Sequence, residues 1–243
     1  MRRPILLGAL GACGSSPSQP DADVLTVADV RPSIRIDSTA TGLTAYATFR
    51  LAMTGESVPV DADAHVTATF RGVTTELPRI TNIDKFSKAD HSYFTGSLDI
   101  AGQPVQEGEG VEVSLILNGQ VATSSATMPP GFELTSITGT WYQVPFVVSW
   151  SPTGQAPLAL AALGRPAANH YCTLSVMPDA APNPIPDTGV VEVDTSKIVV
   201  NSMGFPCVIT LSLFRELAGT LAPDFAVGGG ITASQSRQFY PAP

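Results

Sequence analysis

Asp61, Asp63 and His65 are residues whose types and spacing could do chemistry. They lie at alternate positions, so a strand would direct all three side chains to one face. Two carboxylates and an imidazole on one side could hold a cation. Pro59 and the small residues nearby are equally typical of a solvated edge or turn, and we therefore expect no bound metal.

A second group of carboxylates consists of Glu107, Glu109 and Glu112. Calcium binds oxygen ligands of this kind, but the simplest interpretation is a charged loop. The chain has no Gly-x-Ser-x-Gly nucleophile motif. Its histidines are scattered, at His65, His91 and His170.

Asp187-Thr188-Gly189 is the triplet found in aspartic proteases. That chemistry needs two carboxylates that share a proton, and the sequence contains no second triplet of this type. The triplet is also an ordinary turn before a strand. Gly228-Gly229-Gly230 lacks the lysine and the helix that a phosphate-binding loop needs. These motifs predict neither an enzyme nor a cofactor.

Four aromatic residues could line a sugar-binding face, because aromatic planes stack on the apolar faces of sugars. They are Trp141, Tyr142, Trp150 and Tyr171. Aromatic residues make up only 7% of the chain, and Trp150 has the parity of a core position. Core packing is the better interpretation of these residues, and glycan binding stays open as an alternative.

Alternation of apolar and polar residues recurs from residue 24 to residue 129, which predicts short antiparallel strands. In the longest run, the odd positions from Leu43 to Met53 are apolar or small. Asn118-Gly119 predicts a hairpin turn, since both residues tolerate a positive φ. The Pro-rich segment 128–131 should stop the sheet and act as a hinge.

Residues 130–243 repeat this pattern; Phe146, Val148 and Trp150, for example, share one face. Segments 157–163 and 214–221 have helical composition, and we expect them to be short local exceptions. The predicted fold is all-β, with two tandem antiparallel immunoglobulin-like or fibronectin-like β-sandwiches covering residues 24–129 and 130–243.

The composition limits the partners. Of 243 residues only 14% are charged, and the net charge of −8 argues against nucleic acid and against an anionic lipid surface. The 21 Gly and 21 Pro residues fit many turns. No second apolar stretch is long enough for a membrane helix. We expect a monomer.

The chain has three cysteines: Cys13, Cys172 and Cys207. If Cys13 is modified, an even pair remains, as expected outside the cytosol. Cys172 and Cys207 lie in alternating runs, on the same parity as apolar residues. We therefore predict a disulfide between them, with two buried free thiols as the alternative.

The N-terminus begins with Arg2-Arg3, an apolar run from Ile5, and Leu10-Gly11-Ala12-Cys13. This pattern resembles the lipobox of bacterial lipoproteins. The resemblance implies a signal peptide over residues 1–12, lipid attachment at Cys13 and a tether over residues 13–23. Gly14 after the cysteine resembles outer-membrane sorting signals. Twelve residues are short for a leader, so the true start could lie upstream. The alternative is a chance apolar start with a free cysteine.

A second resemblance covers residues 132–243. The segments VPFVVSWSPTG, DTGVVEVDTSKI and FAVGGGITASQSRQFY, with cysteine-bearing strands between them, resemble the immunoglobulin-like domain of uncharacterised myxobacterial lipoproteins. The resemblance implies a sandwich with a disulfide and implies no activity. We expect a lipid-anchored envelope protein without enzymatic activity, a structural or interaction module. The alternatives are a surface lipoprotein that binds glycan or peptide, and an enzyme with an unrecognised site.

Overall fold

A computed structural model describes most of the chain. The described residues are 25–59, 62–81, 91–100, 102–139, 145–154, 156–166, 173–176, 180–201 and 207–239. Strands dominate them, and the helical segments among them are two short 3-10 turns, Val27–Asp29 and Thr195–Lys197. No helix in this part of the chain is long and apolar enough to cross a bilayer. The all-β prediction is confirmed.

The strands follow in chain order: β1 (Val30–Ser38), β2 (Leu43–Leu51), β3 (Ala64–Phe70), β4 (Val73–Glu76), β5 (Arg79–Ile80), β6 (Tyr93–Leu98), β7 (Gly110–Leu117), β8 (Gln120–Thr127), β9 (Glu133–Thr138), β10 (Phe146–Ser151), β11 (Leu158–Pro166), β12 (Thr173–Val176), β13 (Val190–Val193), β14 (Ile198–Asn201), β15 (Cys207–Ala218) and β16 (Gly230–Phe239). The alternation of apolar and polar residues decides which side chains of a strand are buried. In β2 every odd position is buried, because successive side chains point to opposite faces of a sheet.

The turn at Asn118-Gly119 joins β7 to β8, as predicted, with φ angles of 47° and 78°. The two segments with helical composition are strands instead. Residues 158–163 belong to β11, and residues 214–218 are the end of β15. Strand pairing on a long sheet has overridden the weak helical propensity of these Ala- and Leu-rich segments.

Four sheets are present in the described residues, and the largest joins both halves of the chain. Its strand order is β11-β15-β16-β1-β2-β6-β5. Strand β16 runs parallel to β1, with Ile34 opposite Ile231 and Ser38 opposite Gln235. The early and the late strands of the chain are therefore neighbours. The other sheets have the orders β4-β3-β7-β8, β13-β10-β9 and β12-β14.

Two hydrophobic cores lie against the seven-stranded sheet. The first is shared with the four-stranded sheet and contains buried residues of β1, β2, β3, β6, β7 and β8, together with Ile231 and Ala233 of β16. The second is shared with the β13-β10-β9 sheet and includes Phe146, which stacks on Phe239 of β16 with ring centroids 6.0 Å apart. Strand β16 thus contributes to both cores.

The predicted boundary at residues 129 and 130 does not interrupt the large sheet, and four residues that follow it, Ala222, Phe225, Ile231 and Ala233, pack in the first core. The immunoglobulin-like type and the tandem arrangement of the halves stay predictions. The chain after β15 also crosses to the first half, because Thr220 pairs with Ser125 through two backbone hydrogen bonds. A Cβ at Gly219 would collide with the carbonyl of Ser125 and with Ala126, so this crossing requires glycine.

Candidate functional site

The Asp187 triplet belongs to a buried network. The carboxylate of Asp187 accepts a hydrogen bond from Trp150 Nε1 at 2.7 Å, and another from the backbone NH of Ala156 at 3.2 Å. It also forms an ion pair with Arg215 at 2.6 Å, and only 6% of its side chain is exposed. The carboxylate is therefore engaged in structure, and the pairing with Arg215 was not detectable from sequence.

Arg215 is the largest fully buried side chain among the described residues. Its Nη1 donates to the carbonyls of Pro130 and Gly131 at 3.2 and 2.8 Å. Its Nη2 donates to the carbonyl of Pro152 at 2.8 Å as well as to Asp187. One guanidinium thus binds the segment between the two cores, the turn after β10 and the Asp187 loop.

Two further contacts hold the segment at residues 128–131. Gln235, which is 2% exposed, donates from Nε2 to the carbonyl of Pro129 at 2.9 Å. Phe132 lies beneath the guanidinium of Arg215, with the ring centroid 5.2 Å from the carbon of the guanidinium. This segment was expected to act as a hinge. It ends β8 as predicted, but its carbonyls are bound and its prolines are buried.

The candidate cation site is only partly described. Asp61 lies outside the described residues. Asp63 and His65 lie together, with 3.0 Å between Oδ1 and Nε2, and Glu76 of β4 approaches His65 Nδ1 at 3.3 Å. Hydrogen bonds to Glu76 and then to Asp63 raise the pKa of His65 above its ordinary value. A raised pKa favours the protonated imidazole, which cannot bind a metal. No group of three such ligands suited to a metal ion is found in the described part of the chain.

The three glutamates do not converge. Glu109 accepts hydrogen bonds from Nε and Nη2 of Arg71 at 2.7 and 2.9 Å, and this pairing holds its pKa below the usual range. Glu107 is exposed, and Glu112 projects from β7. Glu112 lines an open groove of about 450 Å³ together with side chains from β3 and β8, including Thr69, Ser125 and Thr127. Arg71 at its rim also donates to three backbone carbonyls, so its charge is fully engaged.

The aromatic candidates do not form a sugar platform. Trp150 is 2% exposed and packs in the second core, as its parity predicted. Trp141, Tyr142 and Tyr171 lie outside the described residues. A different pair does form on the surface: the rings of Tyr46 in β2 and Tyr93 in β6 lie 5.0 Å apart at an interplanar angle of 32°. The sequence placed Tyr46 on the outward face of its strand, since it alternates with apolar residues. It did not show that the strand of Tyr93 is a neighbour.

Several other candidates remain without a described site. Cys13, Cys172 and His170 lie outside the described residues. Cys207 begins β15, but its side chain lies outside the described set, so the predicted disulfide stays a prediction. His91 is exposed just before β6. The Gly228–Gly230 run has a structural role, because a Cβ at Gly229 would lie 2.5 Å from the carbonyl of Pro32 in β1.

No protein-family model matches the chain, and no curated protein is similar to it.

Replacing Arg215 with methionine should lower the free energy of unfolding by about 3–5 kcal/mol, because it leaves the buried Asp187 carboxylate without its cation and three carbonyls without the guanidinium donor. Chemical denaturation measures this. The matched control is Arg237→Met. Arg237 also lies over Phe132, but it pairs with Glu133, whose side chain is 72% exposed. That change should cost about 1 kcal/mol or less. Equal losses for the two variants would contradict a special role for Arg215.

Proposed function

We propose that this protein is a lipid-anchored component of the bacterial envelope, attached through Cys13, and that it acts as a non-enzymatic interaction module. The single observation that carries the proposal is the lipobox-like Leu10-Gly11-Ala12-Cys13. A polar stretch follows it and precedes the β-fold in the sequence, as in a tethered domain. The proposed site is the outer membrane, and the proposed domains are immunoglobulin-like.

The absence of enzymatic activity is supported by how the described polar groups are used. Asp187 and Arg215 neutralise one another inside the protein. Glu109 is paired with Arg71. His65 has carboxylates on both ring nitrogens, and no hydroxyl or thiol in the described residues is hydrogen-bonded to it. A histidine held in this way cannot serve as the base for a nucleophile, since both nitrogens are already occupied.

A second candidate function, glycan binding, is favoured by the surface pair of Tyr46 and Tyr93. Tyr46 is 38% exposed, and the residues next to it on the same face of β2 are Thr44 and Thr48. At this separation the two rings pack against one another, which leaves the partly exposed Tyr46 ring with an apolar face and a polar hydroxyl edge at the surface. Sugars present such faces, so a tyrosine pair on an open sheet suits a saccharide better than a compact metabolite.

We also propose that Cys172 and Cys207 form a disulfide in the exported protein, since an oxidising compartment would join this pair. The mass of the alkylated protein measures it. Without reduction, neither cysteine should take up an alkylating reagent, and after reduction both should. Alkylation of both thiols in the unreduced exported protein would contradict the bond.

Replacement of Cys13 by serine should abolish the lipid mass, because the thiol is the acceptor of the diacylglycerol. Mass spectrometry of the N-terminal peptide and partition into detergent measure the effect. The wild-type chain should begin at Cys13 and partition with detergent, and Ser15→Ala should leave both properties unchanged. A wild-type chain that retains Met1 and carries no lipid would contradict the proposal.

A further inference from the structure

The outer face of β1, β2 and β6 combines the tyrosine pair with arginines. Side chains of one parity point outward from each strand, and across the sheet they form rows set by the register. Arg35 lies opposite Tyr46, and Tyr46 lies opposite Thr95. The next row toward the start of β1 holds Ser33 and Thr48, both polar. The row beyond that holds Arg31 and Arg50.

Arg31 and Arg50 lie directly opposite one another on neighbouring strands. Like charges in this position destabilise a sheet. Neither forms an ion pair with a carboxylate among the described residues, and Arg50 is held by its Nη1 hydrogen bond to the carbonyl of Gly55 at 2.9 Å. Such an arrangement is unexpected in a chain with a net charge of −8, in which acids outnumber bases. Both side chains are exposed in one row, so a single anion at this end of the face can bind the two guanidinium groups.

The third arginine of this face is partly neutralised. Arg35 forms an ion pair with Asp37 at 2.7 Å, and its guanidinium carbon lies 6.0 Å from the centre of the Phe214 ring. The arginines of this face that form no ion pair with a described carboxylate are therefore Arg31 and Arg50. Guanidinium groups bind carboxylates and phosphates through paired hydrogen bonds.

We infer that the outer face of β1, β2 and β6 binds an acidic glycan, a chain of sugars that carries carboxylates or phosphates. One ring stacks on Tyr46 and Tyr93, and an acidic group further along the chain lies between Arg31 and Arg50. Tyr46 and Arg50 are four positions apart in β2, about 13 Å in an extended strand, which an oligosaccharide of a few rings spans. The hydroxyls of Ser33 and Thr48 lie between the two ends.

This inference rests on the glycan-binding candidate and adds the charge of the ligand. The open groove on the four-stranded sheet is a weaker site, because Glu112 is negative and Arg71 is already neutralised by Glu109. An acidic peptide lacks the ring faces that the tyrosine pair would stack on.

The test uses the full chain with Cys13→Ser and two matched probes, a short oligogalacturonate and its methyl ester. Both have the same rings, but only the first is charged. Calorimetric titration should show binding of the acid that weakens with salt, and at least about tenfold weaker binding of the ester. Arg31→Gln and Arg50→Gln should each weaken binding of the acid about tenfold, whereas Lys197→Gln, which removes a positive charge elsewhere, should not.

Variants of Tyr46 separate the contribution of ring stacking from that of charge. Tyr46→Ala should weaken binding of both probes, and Tyr46→Phe should restore it because the ring remains. Equal binding of acid and ester, unchanged in the arginine variants, would overturn the acidic ligand and leave glycan binding standing. No binding of either probe would overturn both. Binding of polyglutamate or of phosphatidylglycerol vesicles as tightly as the acid would also overturn it, since the site would then recognise charge alone.

Discussion

A buried guanidinium is costly unless it is paired, and the pairing of both terminal nitrogens of Arg215 organises the protein, although its buried Nε has no hydrogen-bond partner among the described residues. Arg215 has no exposed surface, and its partners are an aspartate and three backbone carbonyls. Those carbonyls belong to segments that are far apart in the chain. The guanidinium therefore fixes the position of three segments: the one between the cores, the turn after β10 and the Asp187 loop. Through Asp187 the same interaction also fixes the indole of Trp150.

The polar row built on Arg215 lies at the centre of a continuous sheet. In register, Arg215 faces Gln235, and Gln235 faces Ser38 of β1. The rows on one side pack in the first core, and those on the other side pack in the second. Because buried polar groups require their partners in defined positions, this row fixes the relative placement of both sets of strands. The buried charges of Arg215 and Asp187 are engaged in this task, and the recognition that we propose uses the outer face of the large sheet.

The sequence predicted the features that depend on local periodicity. Strand β2, the hairpin at Asn118 and the core position of Trp150 all follow from alternation and turn chemistry. Features that depend on strand order were not predictable. The parallel pairing of β1 with β16 brings together residues about 200 positions apart, and no local pattern records it. The strand character of residues 214–218 was missed because propensity is weaker than sheet pairing.

Among the candidate site residues, too, the sequence predicted local relations but not those that depend on strand pairing. The sequence contains no second triplet of the protease type, and the structure places the Asp187 carboxylate in a buried ion pair with Arg215. Arg215 lies in the segment for which the sequence predicted a helical turn, so nothing local indicated this partner. Asp63 and His65 share a face as predicted, whereas Glu76 joins them only because β4 pairs with β3. The Tyr46 and Tyr93 surface arises from two strands whose contact the sequence does not show.

The buried row around Arg215 and the shared strands should join both cores into one cooperative unit. Differential scanning calorimetry of the chain tests this directly by comparing the calorimetric enthalpy with the van't Hoff enthalpy. We expect a single transition in which the two enthalpies agree. Two separable transitions, each with its own enthalpy, would contradict it.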